Sequence, residues 1–221
     1  MKERKIKFWL AILAYLAVTV LDLVFTYIAT PNLLLEGNPL MDQLNMGWVG
    51  LIAINVVTYA GYVLMAWYAF LKYKRPVTNE TDMRRYLSLL NYGDADKYVP
   101  MMWRLPKHWG PQTACLCWSV VCALPFCRLI IVFEWLLMIL GVRTIWASLF
   151  FLIVSWFPMG RIDIVLAIIF AWILSFKWIN REYVANLKEI AERKLREEKE
   201  REAAREPETS APQTAPEETT D

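Results

Sequence analysis

The sequence is poor in the groups that most enzymes use for chemistry. It holds a single histidine, His108, and its four cysteines all fall within residues 115–127. It has no Gly-x-Ser-x-Gly, no His-Glu-x-x-His and no glycine-rich phosphate loop, which are the short motifs of hydrolases, zinc proteases and nucleotide-binding proteins. We therefore do not expect an enzyme, and we predict neither a cofactor nor a metal site. The cysteines are best explained as small residues that pack a helix.

Net charge is also small, at +2, and it gives no indication of a nucleic-acid partner. Apolar residues are abundant instead: 57% of the chain is hydrophobic, above the roughly half that is usual for soluble domains. They are concentrated in residues 8–30, 46–71 and 113–180, with many aromatic residues at the edges of these runs. Aromatic rings prefer the membrane–water boundary, so the sequence predicts an integral membrane protein whose main partner is the lipid bilayer.

About 20 apolar residues cross the hydrocarbon core as a helix. Residues 8–29 and 47–71 each supply one span, and we interpret the first as uncleaved. The block 113–179 is long enough for spans at 113–140 and 161–179, with 144–158 as either a further span or a short re-entrant element. The predicted fold is an all-α, polytopic transmembrane bundle of four or five spans.

The distribution of lysine and arginine predicts the orientation. The N-terminus before the first span and the loop 72–112 are rich in both residues, whereas the connection 30–46 has neither. Basic residues favour the cytoplasmic side, so we expect a multi-pass protein of the cell membrane with a cytoplasmic N-terminus and loop. Four spans keep the C-terminus inside and five place it outside; we favour four.

The loop and the tail both contain helical patterns. Apolar residues recur at helical spacing from Met83 to Leu90, with Thr81 or Asp82 available as a cap and Gly93 beyond the end. This cytoplasmic loop helix either lies on the inner leaflet or packs on its own bundle. Residues 181–206 carry acids and bases at i, i+4 spacing, which predicts a charged, solvated C-terminal helix, and the acidic tail 207–221 is predicted to be disordered.

Two opposite charges lie inside predicted spans. Asp22 lies about 21 Å along a helix from Phe8, and Arg128 lies about 22 Å from Thr113 in a helix that enters from the same side. Because ionisable residues within a membrane usually pair and face the bundle interior, we expect Asp22 and Arg128 to meet. A structural ion pair and a substrate or ion site are both open interpretations.

A short motif adds residues to this region. Thr26 shares the helix face of Asp22, and the outward connection then contains Glu36, Asn38 and Pro39. This Asp-x-x-x-Thr … Glu-x-Asn-Pro pattern, within about residues 8–45, resembles a family of small prokaryotic multi-pass membrane proteins of unknown function. The resemblance implies that the five residues belong to one site. Their oxygen atoms would suit a hard cation at the outer face, while a capped turn explains the second group equally well.

Two functions remain open on the sequence alone. A non-enzymatic membrane scaffold or interaction protein would bind a protein partner, or a second copy, through the cytoplasmic loop and the C-terminal helix. A small transporter or ion-binding protein would use the polar cluster of Asp22, Thr26 and Arg128. We favour the first function, since no internal repeat of the kind found in many transporters is evident.

Overall fold

The computed structural model describes residues 2–33, 47–97, 105–141 and 162–209, and all regular secondary structure in these ranges is helical. The all-α prediction is confirmed. The helices, in chain order, are α1 (Lys2–Ala29), α2 (Gly47–Trp67), α3 (Met83–Tyr92), α4 (Trp109–Ile139) and α5 (Ile162–Thr209). A π-helical turn, Tyr68–Lys72, extends α2. The predicted element at 144–158 lies outside the described residues.

Three of the helices are long and apolar enough to cross a membrane, namely α1, α2 with its π-helical turn, and α4. Large apolar side chains on their outer faces are exposed, including Trp9, Leu13, Val57 and Leu116. An apolar exterior of this kind is suited to lipid rather than to water. The structure is therefore compatible with a protein embedded in a membrane.

Buried aromatic residues hold α1, α2 and α4 together. The rings of Tyr15 on α1 and Tyr62 on α2 stack with centroids 4.0 Å apart. The hydroxyl of Tyr62 donates to the backbone carbonyl of Val121 on α4 at 3.0 Å. Since Tyr62 is completely buried, this one side chain fills the space between three helices and satisfies its own polar atom.

Helix α5 runs antiparallel to α4. The hydroxyls of Ser119 and Ser175 are 2.9 Å apart, and the rings of Phe126 and Phe170 have centroids 4.7 Å apart. Residues later in α4 therefore contact residues earlier in α5. Helix α5 then continues to Thr209, so its apolar first part and its charged second part form one helix.

Helix α3 has the boundaries that the sequence predicts. The carboxylate of Asp82 accepts hydrogen bonds from the backbone N–H groups of Arg84 and Arg85, and Gly93 ends the helix with a left-handed φ of 71°. Tyr86 and Leu90 are buried, and the amide of Gln112 on α4 donates to that of Asn91 at 2.5 Å. Of the two interpretations, α3 thus packs on its own bundle.

Candidate functional site

A polar cluster built around Arg128 lies between α1, α2 and α4. The guanidinium donates to the carboxylate of Asp22 at 3.0 Å and to the amide oxygen of Asn55 at 2.6 Å. The side chains of Arg128 and Asp22 are each only 16% exposed. The structure thus brings together the two charges that the sequence places at matched depth, and it adds Asn55 from the second span.

The orientation of Asn55 follows from its own helix. Its amide NH₂ group donates to the backbone carbonyl of Leu51, one turn earlier, at 2.9 Å. This bond leaves the amide oxygen to accept from Arg128. The hydroxyl of Thr58 donates to the carbonyl of Ile54 at 2.8 Å, so it is engaged within α2. Asn55 is therefore the residue of α2 that completes the cluster.

An aromatic ring covers the same guanidinium. The central carbon of the Arg128 guanidinium lies 5.4 Å from the ring centroid of Tyr15, within the range of a cation–π interaction. The hydroxyl of Tyr15 is buried and has no hydrogen-bond partner among the described residues. Arg128 consequently meets a carboxylate, an amide and an aromatic face, which together compensate its charge inside the bundle.

Of the other predicted site residues, only Thr26 belongs to the part of the chain that the structure describes. Thr26, one turn beyond Asp22 on α1, is buried, and its backbone carbonyl accepts the N–H of Thr30 at 2.8 Å. The guanidinium of Arg128 donates its hydrogen bonds to Asp22 and Asn55, so Thr26 is not one of the partners described for it. Glu36, Asn38 and Pro39 lie outside the described residues, so the cation site at the outer face stays a prediction.

A second polar cluster, which the sequence did not reveal, joins the loop to α5. The extended segment 73–82, called the strap below, lies along α5. Asn186, with 0% exposure, accepts from the hydroxyl of Thr78 and donates to the carbonyl of Glu80, each at 3.0 Å. The hydroxyl of Tyr183 donates to the carbonyl of Thr81 at 2.6 Å. Side chains of α5 thus donate hydrogen bonds to backbone carbonyl oxygens of the strap.

Charged residues also hold the strap, at its start and at its middle. Arg75 pairs with Glu182 of α5 at 3.0 Å, and Arg193 donates to the carbonyl of Thr78 at 3.0 Å. Arg4 of α1 donates to the carbonyl of Tyr73 at 2.6 Å. The first turn of α1, the strap and the 182–193 part of α5 therefore lie at the same end of the bundle.

Burial perturbs the tyrosines at this end. Burial, with the nearby negative charge of Glu182 as a smaller cause, raises the pKa of Tyr86 to about 12 and also raises the pKa of Tyr73. Both hydroxyls consequently stay protonated at neutral pH. The backbone N–H groups of Arg85 and Arg84 lower the pKa of the Asp82 carboxyl, which keeps the cap of α3 ionised.

Neither cluster, as far as the structure describes it, holds the ligands of a metal centre. Among the described residues no group of three His, Cys, Asp or Glu side chains is placed to hold a metal ion. Three of the four cysteines of α4, Cys115, Cys117 and Cys127, are buried. Comparison with known protein families, with characterised proteins and with solved structures gives no match to this chain.

Proposed function

We propose that this chain is a multi-pass protein of the cell membrane with four crossing helices: α1, α2, α4 and the first part of α5. The contacts among Arg4, the strap and α5 support an arrangement in which both ends of the chain lie on one side. The antiparallel pairing of α4 with α5 also supports four crossing helices. The basic residues at this end favour the cytoplasm.

We further propose that the protein is a non-enzymatic scaffold that binds another protein, or a second copy of itself, through the end of α5. One observation carries this proposal: α5 continues beyond Arg193, its last contact with the strap, to Thr209. That distance corresponds to about 24 Å of helix, and residues 194–203 are all exposed. A helix exposed on every side and rich in both charges is suited to recognition by a partner.

The strap gives this helix a fixed base. A helix that leaves a membrane without lateral support can pivot, whereas here buried Asn186 and the Arg75–Glu182 pair attach α5 to the loop. The strap in turn connects to α3 through Asp82. The loop therefore acts as a brace that holds the projecting part of α5 in one direction, as a scaffold requires.

Photo-crosslinking in intact membranes tests this function. A photoreactive residue at Glu198, on the projecting part of α5, should give a discrete crosslinked product with a copy of the chain or with one other protein. The matched control is Val77, which is also exposed at this end of the bundle but lies on the strap. Products of the same size and yield from both positions, or from neither, would contradict the proposal.

A second candidate function, movement of an ion or small solute, is favoured by the unsatisfied hydroxyl of Tyr15 beside Arg128. A polar atom left without a partner in a buried cluster is a place where a ligand or a proton can bind. Purified protein in liposomes should show no flux if the cluster is structural. A flux that Asp22→Asn abolishes while the fold persists would favour transport instead.

A further inference from the structure

One exposed face of α5 changes from apolar to basic as the helix leaves the bundle. Ile169, Ile173 and Phe176 are exposed along this face. Lys177, Arg181, Val184 and Lys188 follow it and are exposed as well. These positions recur at intervals of three and four, so they lie on one side of the helix.

The change occurs at the level where the other helices also reach the cytoplasmic end. Trp178, beside Lys177, is buried and packs on Tyr73 of the strap with ring centroids 5.7 Å apart. Tyr73 follows directly after the π-helical turn that ends the second candidate span. Lys177 and Arg181 therefore lie where the hydrocarbon core gives way to lipid headgroups, which is the depth of an interfacial anchor.

Arg181 is held in an orientation that suits a phosphate. Its guanidinium carbon lies 4.7 Å from the ring centroid of Trp118 on α4. One NH₂ group of Arg181 also donates to Glu182 at the long distance of 3.5 Å. A guanidinium carries five N–H groups, so stacking on an aromatic face leaves others that can donate to phosphate oxygens.

Acidic neighbours do not cancel this basic face. Glu182 lies 3.5 Å from Arg181, but its other carboxylate oxygen pairs with Arg75 at 3.0 Å. Glu189 is 3.7 Å from Arg75 as well. On the exposed face itself the next acid is Glu192, one turn beyond Lys188. The charge at Lys177 and Arg181 is therefore positive overall.

We propose that Lys177 and Arg181 bind the phosphate headgroup of an anionic phospholipid of the cytoplasmic leaflet, with its acyl chains along Ile169 and Ile173. A lipid fits better than an acidic peptide because the basic residues continue an apolar, exposed face without interruption. Lys188, about 10 Å further along the helix, adds to the attraction at the membrane surface. The proposal depends on the cytoplasmic orientation given above, which a C-terminal reporter tests independently of any lipid.

Native mass spectrometry of the full chain tests this site. Protein in detergent is incubated with phosphatidylglycerol and phosphatidylcholine of identical acyl chains, and the bound fraction of each is compared. The protein should prefer phosphatidylglycerol. Lys177→Gln with Arg181→Gln should lower the preference roughly thirtyfold, because each basic residue near an anionic surface contributes a factor of about five. Lys177→Gln alone should lower it about fivefold, which keeps the test usable if the double variant does not fold.

The matched control removes the same two charges from the projecting part of α5, as Lys194→Gln with Lys199→Gln. This control should keep the preference. An equal loss of the preference for phosphatidylglycerol in the control variant would overturn the proposal. Equal binding of the two lipids by the unaltered protein would overturn it as well. Millimolar inorganic phosphate should not displace the lipid; complete displacement would indicate a site for free phosphate and would also overturn the proposal.

Discussion

Neutralising Asp22 alone should destabilise the bundle more than neutralising Asp22 and Arg128 together. In Asp22→Asn, Arg128 keeps Asn55 and the ring of Tyr15 but loses the carboxylate at 3.0 Å. An unpaired charge at the centre of a membrane helix costs about 2.5–3.5 kcal/mol, and breaking a buried pair costs about 3–5 kcal/mol. Because the pair is 16% exposed, we expect the lower end, about 3 kcal/mol.

The double variant, Asp22→Asn with Arg128→Gln, leaves no unpaired charge. Its loss should be about 1 kcal/mol or less, because replacing both members of a buried pair is often close to neutral. The thiols of Cys115, Cys117 and Cys127 are buried in α4, so a thiol-reactive dye reports the opening of this helix. Denaturation of each variant in detergent, followed with this dye, gives the coupling energy between the two residues.

Thr58→Ala is the matched control. The hydroxyl of Thr58 bonds within α2, one turn from Asn55, so its removal should cost little and should not depend on Arg128. A double variant whose loss equals the sum of the two single losses would refute the reasoning. That result would mean that Asp22 and Arg128 contribute independently and that their contact does not stabilise the bundle.

Three further predictions concern the end of the bundle where the strap lies. Asn186→Leu removes a hydrogen bond to Thr78 and leaves buried polar atoms unpaired, so it should cost about 2 kcal/mol and make the strap more susceptible to limited trypsin cleavage. Gly93→Ala should destabilise α3, because φ is 71° and an added Cβ would lie 2.8 Å from Nε2 of His108; circular dichroism during thermal unfolding measures the loss. The raised pKa of Tyr86 means that the folded state holds this proton more tightly than the unfolded state does, so stability should fall from about pH 10 to about pH 12. Tyr86→Phe should remove that part of the alkaline loss in a series of denaturant titrations, and an unchanged pH profile would contradict the assignment.

The contact between Asp22 and Arg128 was predictable because depth in a membrane helix depends only on residue count and rise. Both charges have a bundle interior as their best environment, so matched depth was sufficient to pair them. Asn55 was harder to identify, since an asparagine in a membrane helix is common and its role depends on the rotation of α2. The boundaries of α3 were predictable because Asp82 and Gly93 act locally.

The strap was not predictable from the sequence, because most of the hydrogen bonds that hold it join residues 73–82 to α5 side chains more than 100 residues away. Three of these bonds are accepted by backbone oxygens of the strap. The sequence predicts a solvated helix for residues 181–206, and it does not reveal which side of that helix packs. Val184 and Leu195 are 43% and 54% exposed, while Glu182 and Asn186 are buried. A polar face packs here because the strap presents carbonyl oxygens that need donors, and no local pattern in α5 reveals that requirement.

The side of the membrane on which α5 ends tests the central claim most directly. A reporter that fluoresces only in the cytoplasm is fused after Asp221, and a reporter that is active only outside is fused at the same position in a second version. The four-crossing arrangement predicts signal from the cytoplasmic reporter and none from the external one. The opposite result would place α5 away from the strap and would contradict both the topology and the proposed scaffold.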